Sequence, residues 1–536
     1  MPRYHEDTLL VGRASSIPTF TRALLWPCTR ILAAICASLA FVTFAGGQTL
    51  FPHDQATMIN PDVKLRLTFN EAPRVGTSGQ IRIYDAADDR LIDMLDLSIP
   101  PGPTAPVDPA TRAKDYLGFP YPYARPARPT NRNTKPGTPS AGAVATSDQY
   151  QLTIIGGFTD GFHFYPITVD DTTATIHPHH DLLEYGKTYY VQIDSTVLSL
   201  SNEEFSGISA KSWRFTTKPI AKAPRQNAKL LTVSADGNGD FNTVQGAMDF
   251  VPDHSVQRIT IKVRNGLYQE IVYFRNKDNV TLLGENQNKT IVRYANNEVF
   301  NPHPANIRTN PEPGTFPSRR AAVAVDNSNG IHIVNMTLHT TAPGQSEGLL
   351  ITGDRNILSH VTVIGGGDAL QANGRIYVVD STIEGTGDSI LGRGTLFCER
   401  CTIKSTQVMM WPRNHKDVHG NVFKDSTFIG TQEPTTIARA PQNERFSYPF
   451  AEVVLLNATL SNIAPEGWGD ADKRGTVHFW EYNSRNADGS PIDVSKRVPW
   501  SRQLDKVKDA KLIADYSRPS FVLAGWEPKL EVKVPH

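Results

Sequence analysis

Cysteine is scarce in this chain: four residues in 536. Cys28 and Cys36 fall in the N-terminal apolar region, which leaves Cys398 and Cys401 as a single CxxC pair. In an extended strand, residues three apart stand about 10 Å from each other, beyond the roughly 7 Å that a disulfide spans. A zinc or redox reading needs a turn or a second CxxC, and the sequence offers neither. The pair is therefore expected to be two core thiols. Charge of one sign is also lacking, since Lys plus Arg and Asp plus Glu each number 54 and the formal net charge is zero. Without a polybasic stretch the chain does not read as a nucleic-acid binder, whereas an acidic polysaccharide needs only a local basic groove. No ligand cluster points to a metal, and nothing calls for a cofactor. The apolar run from Ile31 to Ala45 is shorter than the roughly 20 residues of a membrane-crossing helix. Arg22 and Arg30 precede it and Ala45-Gly46-Gly47 closes it, which is the order of a secretory signal over 1–47. Cys36 follows Ile35 rather than a small residue, which argues against a lipoprotein site. The expected product is secreted or periplasmic, with no membrane association once the signal is removed.

What is present is β-structure of two kinds. The length favours two or three domains. Between about 60 and 217, runs such as LRLTF, QIRIYD and YYVQID alternate apolar and polar residues between Gly, Asp and Pro turns. This stretch resembles the immunoglobulin-like β-sandwich modules of exported bacterial proteins, interrupted by a Pro-rich insertion at about 100–145. A Lys-, Ala- and Pro-rich linker, 218–227, leads into a repeat over 228–520, and 521–536 reads as a tail. Six segments share one pattern, ending in Thr337, Thr362, Thr382, Thr402, Thr427 and Thr459, each followed by an apolar residue. One short strand per 20 to 25 residues, widening at the last step, with no helix-length periodicity, predicts stacked coils. The expected fold class is all-β: a right-handed parallel β-helix preceded by a smaller sandwich, its inward positions filled by β-branched residues.

Spacing within the repeat singles out three polar residues. Gln345, Asp368 and Asp388 lie 23 and 20 residues apart, one coil each. Coils stack at about 4.8 Å, so the three side chains are expected to rise as a column within reach of one bound carbonyl. Taken singly, Asp368 after three glycines and Asp388 in Gly-Thr-Gly-Asp-Ser read as turn residues. The column gives them a joint purpose: two adjacent carboxylates cannot both ionise easily, so one is expected to hold its proton more tightly than the other.

Ordered motifs then point to a family. Gly239-Asp240-Phe241-Asn242-Thr243-Val244-Gln245, followed by a short capping helix, Asn265-Gly266-Leu267-Tyr268-Gln269-Glu270, Gln345 to Leu350 with Gly353-Asp354-Arg355, Gly385 to Gly392, Gly467-Trp468 and Glu481-Tyr482-Asn483 resemble the pectin methylesterase family. The chain is similar to a bacterial-type member over roughly Leu231 to Leu504. The resemblance implies hydrolysis of methyl esters of homogalacturonan, the pectin backbone, with release of methanol. It casts Asp388 as nucleophile, Asp368 as acid and then base, Arg439 as the clamp on Asp388 and Gln345 as oxyanion donor. Trp411, Arg413 and Trp468 are expected to line the sugar groove, packing being the other role open to an aromatic on a solenoid face. No metal or cofactor is implied, the partner is the polysaccharide, and a monomer is expected. Three positions depart from the family pattern. Gly367 stands where a second oxyanion glutamine is usual, Ser389 where an aromatic follows the nucleophile, and Pro441 where a Trp follows the arginine motif. The alternatives are an esterase for another acyl group, a glycosidase or lyase on the same scaffold, and a non-catalytic cell-wall binder.

Overall fold

The computed structural model describes residues 48–105, 150–153, 155–156, 162–302, 319–442, 447–472, 476–532 and 534. The expected leader, 1–47, and most of the Pro-rich insertion lie outside them.

Strict alternation shapes the first region. In Gln80–Asp85 every second residue is buried, Ile81 and Ile83 among them, as the two-residue period of a half-covered strand requires. This strand belongs to a five-stranded sheet in the order Ala56–Ile59, Arg214–Thr217, Thr188–Ile193, Gln80–Asp85, Leu91–Asp96. A four-stranded antiparallel sheet runs Thr49–Phe51, Leu65–Thr68, Thr173–Ile176, Ile167–Asp170. Both send side chains into one core, with Leu65, Leu67, Val191, Trp213 and Phe215 at its centre.

From Leu230 onward the strands are parallel and stacked. Eighteen form one continuous curled sheet. Six form a second: Val272–Arg275, Val323–Asp326, Leu349–Thr352, Leu370–Asn373, Ile390–Gly392 and Met410–Pro412. Together they make a parallel β-helix. The six repeat threonines stand in direct register, Thr337 beside Thr362 and so on to Thr427 beside Thr459. Two residues ahead of each lies a left-handed corner: Asn335, His360, Asp380, Arg400, Asp425 and Asn457 have φ between 49° and 59°. Asn and Asp accept this conformation more readily than bulky residues, and they hold four of the six corners. The Gly-Asp-Arg segment has a different cause. At Gly353 (φ 143°) a Cβ would stand 2.0 Å from Ser328 O, and at Gly374, one coil on, 1.7 Å from Gly353 O, so only glycine lets the coils approach.

The interior corrects one expectation. The inward ladder Leu358, Val378, Cys398, Phe423, Leu455 is mixed in shape rather than β-branched throughout. A stacked core needs large and small neighbours to interdigitate, which one residue type does not supply. Cys398 and Cys401 are both buried free thiols.

A helix, Val244–Phe250, caps the first coils with Val244, Ala247 and Met248. Thr243 accepts a hydrogen bond from the Gly246 N–H at 3.0 Å, satisfying one open donor of the helix start. Glu270 accepts from the N–H groups of Val244 and Gln245 at 2.8 and 3.0 Å. The sandwich docks at the same place: Asp62 accepts from the Thr243 N–H at 2.8 Å and from its hydroxyl at 2.7 Å. At the other end, helices Ala510–Tyr516 and Pro519–Val522 press Tyr516, Val522 and Leu523 onto the outer wall formed by Phe397, Val422 and Val454. Packed chain thus continues past the boundary expected at 520. Among the described residues no helix is long and apolar enough to cross a membrane.

Candidate active site

The six-stranded sheet positions the polar column. Leu349, Leu370 and Ile390 are register neighbours on successive coils. Two residues before each stand Glu347, Asp368 and Asp388. Three carboxyl groups therefore stack at the N-terminal edge of the sheet, about 4.8 Å of coil rise apart. Gln345 lies two residues ahead of the register, in an exposed turn. The bend before Ile390 puts Asp388 at φ 47°, a left-handed conformation uncommon outside glycine. Its own N–H donates to Val408 O of the next coil at 2.6 Å.

Two arginines bracket the column. Arg439 arrives from a later coil, where Ala438 bridges to Met410. Its guanidinium forks onto Asp388, Nε to Oδ1 at 3.0 Å and Nη2 to Oδ2 at 2.5 Å. This is the bidentate geometry that fixes the orientation of a carboxylate. Arg320, three residues before Val323, serves the other end. Its Nε donates to Glu347 at 2.9 and 3.0 Å, its Nη2 to Asp368 Oδ2 at 2.5 Å, and its Nη1 to Gln345 Oε1. Glu298 lies 3.4 Å from the same Nη1.

Asp368 feels opposing influences. Burial pushes its carboxyl up and Arg320 draws it down; Glu347 and Asp388 push it up again, and Arg413 opposes them. The outcome is a group raised from 3.8 to about 7. A carboxylic acid in that range is half protonated near neutrality, able to give a proton and to take one back.

An aromatic floor adjoins the pair. The Trp411 ring is buried, with the Arg413 guanidinium 3.7 Å and the Arg439 guanidinium 4.6 Å from its centre. Tyr448 meets it edge-on at 5.7 Å. Trp468 is elsewhere: it is buried in the core and stacked on Phe479 at 4.9 Å, so it presents no face to a groove. Ser389 is also turned inward, donating to Ser405 Oγ at 2.9 Å. At Gly367 there is room, since a Cβ there would meet nothing nearer than Gly344 O at 3.4 Å.

The structure thus brings Asp368, Asp388, Arg439, Trp411 and Arg413 together, keeps Gln345 at the rim through Arg320, and leaves Trp468 apart. Sequence reasoning missed Arg320, Glu347 and Tyr448. Glu347 carried a usable signal, because it precedes Asp368 by 21 residues, the same one-coil step that links Asp368 to Asp388. Arg320 and Tyr448 had none, each sitting outside the repeat strands.

Comparison with known proteins identifies a family. A family model described as Pectinesterase matches residues 230–525. Pectinesterase 31 of Arabidopsis thaliana is 30% identical over 290 residues, covering 52% of this chain and 88% of its own length. Probable pectinesterase/pectinesterase inhibitor 19 of the same plant is 28% identical over 305 residues; the match takes in 54% of this chain and only 55% of that relative. Among solved structures, pectin methylesterase from carrot covers 55% of this chain and 93% of itself at 23% identity and a TM-score of 0.44. With the family match extending over more than half its length, from the first coil to the C-terminal helices, this chain belongs to the pectinesterase family.

Proposed function

We propose that this protein is a carboxylic ester hydrolase that removes methyl groups from homogalacturonan by way of an acyl-enzyme on Asp388. The observation that carries the reading is the unequal treatment of two stacked aspartates: Asp388 is forked by Arg439, while Asp368 is raised to about 7. Unequal surroundings at two neighbouring acids assign them different roles.

In this reading Asp388 attacks the ester carbonyl, and the Gln345 amide receives the oxygen that becomes negative. As the tetrahedral intermediate collapses, the C–OCH3 bond breaks and Asp368 gives its proton to the departing methoxide, which leaves as methanol. The acyl group is now a mixed anhydride with Asp388. Asp368, ionised, takes a proton from water; the hydroxide adds to the acyl carbon, and Asp388 departs as carboxylate. The product acid loses its proton to solvent. Trp411, with Tyr448 beside it, supports the Arg413 and Arg439 guanidinium groups, which offer positive charge to an acidic sugar chain. The 1–47 leader is read as an export signal and the enzyme as a monomer.

The test is methanol release and acid production from highly methylated pectin, wild type against Asp388→Asn. Methanol from wild type alone is expected. Hydrolysis by the variant near the wild-type rate would remove Asp388 from the mechanism. A second reading, an esterase for another acyl group, draws on Gly367 and the inward Ser389, which leave the groove without a glutamine and an aromatic. A folded protein inert on pectin but active on a panel of acyl esters would favour it.

A further inference from the structure

One guanidinium in this site serves three acids and an amide. Arg320 is largely enclosed, its side chain 14% exposed, and Glu347 beneath it is fully buried. Glu347 takes the fork, with both carboxylate oxygens on Nε and the Oε1 contact to Nη2 at 2.8 Å. What remains of Arg320 faces outward: Nη2 to Asp368 and Nη1 to Gln345. Nothing in the ester-cleaving steps above uses Arg320 or Glu347.

Two consequences follow from bonding rules alone. Arginine only donates, so the Gln345 atom that meets Nη1 must be the carbonyl oxygen. The amide nitrogen then occupies the other prong, where it can donate to a substrate oxygen. Likewise Nη2 occupies Asp368 Oδ2, which leaves Oδ1 to carry a proton. The charge count points the same way. Glu347, Asp368 and Glu298 share one positive group, and Asp388 faces Asp368 from the next coil with Arg439 and Arg413 beyond it. Glu347 is the deepest and has the fork. Asp368 has a single hydrogen bond from that group and is the acid whose carboxyl is raised, to about 7.

Resting on the esterase reading, we propose that Arg320, held by Glu347, is a positioning residue that governs when Asp368 carries its proton and turns the Gln345 amide toward the substrate. Arg320 pulls Asp368 toward the ionised form and Glu347 pushes it back, so removing each should move the site in opposite directions.

The experiment is the pH profile of kcat and kcat/KM on methylated pectin for wild type, Arg320→Gln, Glu347→Gln and the double variant, with a thermal melt of each. Arg320→Gln should raise the alkaline limb by about 1 to 3 pH units and lower kcat about tenfold or more, with KM little changed. Glu347→Gln should lower that limb. Should either single variant fail to fold, the double variant, which buries no unpaired charge, reads the sign: its limb should lie above wild type, because Arg320 is the stronger influence on Asp368. A lower melting temperature with an unmoved limb in a folded variant overturns the proposal and leaves Arg320 a merely structural residue. If wild type itself releases no methanol, the esterase reading fails separately. The proton on Asp368 is then followed by infrared titration of the protonated-carboxyl band that Asp368→Asn removes. The same opposite shifts of its midpoint sustain the proposal; a midpoint indifferent to both substitutions defeats it.

Discussion

Two buried carboxyl groups of the β-helix, one beneath the C-terminal helices and one at the edge of the six-stranded sheet, meet different fates. Glu452, under the C-terminal helices, accepts from His419 at 2.9 Å, His478 at 2.8 Å, the Gly420 N–H at 3.2 Å and the Tyr516 hydroxyl at 2.8 Å. Burial pushes it up, but the hydrogen bonds from His419 and His478 outweigh that and bring it down to about 2. Asp368 has one donor, Arg320, and two acids for neighbours, and it is raised to about 7. Similar depth in the protein therefore decides little. The number of donors offered to each acid separates a group that holds structure together from one left poised for chemistry.

The largest contrast should come from removing charge at the two sites in turn. Asp388→Asn, in the open column, is expected to cut kcat on pectin by at least about 10³-fold while the thermal midpoint stays near wild type. Next in size is the response of stability to pH. A carboxyl raised from 3.8 to about 7 binds more protons folded than unfolded across that interval, so its contribution to stability falls as pH rises from about 4 to 7. The loss should be roughly 2 to 4 kcal/mol, read as the difference in denaturant midpoints between wild type and Asp368→Asn along that range. Glu452 has the opposite sign. Its carboxyl falls from 4.5 to about 2, so its stabilisation is complete above about 4.5 and drains away as pH drops toward 2. Glu452→Gln should cost about 1 to 3 kcal/mol at neutral pH with kcat unchanged, and a kcat defect there would break the distinction between the two acids. The smallest effect is expected at the aromatic floor. Trp411→Ala removes the ring under Arg413 and Arg439 and should raise KM several-fold, in line with about 0.5 to 2 kcal/mol for such contacts.

Much of this was legible in the chain. The threonine repeat gave the solenoid because each coil repeats the same corner and strand, and the register pairs those threonines one to one. Asp368 and Asp388 were legible for the same reason, being fixed by coil length. Gln345 was only half right: counting coils placed it in the column, but the strand begins at Leu349, which makes Glu347 the true neighbour. Trp468 was read as a groove aromatic on a solenoid face, whereas Gly467 turns the chain at φ 72° and the ring packs inward onto Phe479. Arg320 could not be found, since what makes it matter is a side chain reaching across two coils, and no local pattern records that.

The row of left-handed corners from Asn335 to Asn457 has one further consequence. Each corner marks where a turn of the solenoid begins afresh, so loops between marks can lengthen or shorten without disturbing the strands that follow. The interval from Asp368 to Asp388 is thereby set by the pitch of the backbone and not by the side chains around it. Catalytic spacing in such a molecule is ruled like graph paper: the grid is printed once, and evolution is free to rewrite what is plotted on either side of it.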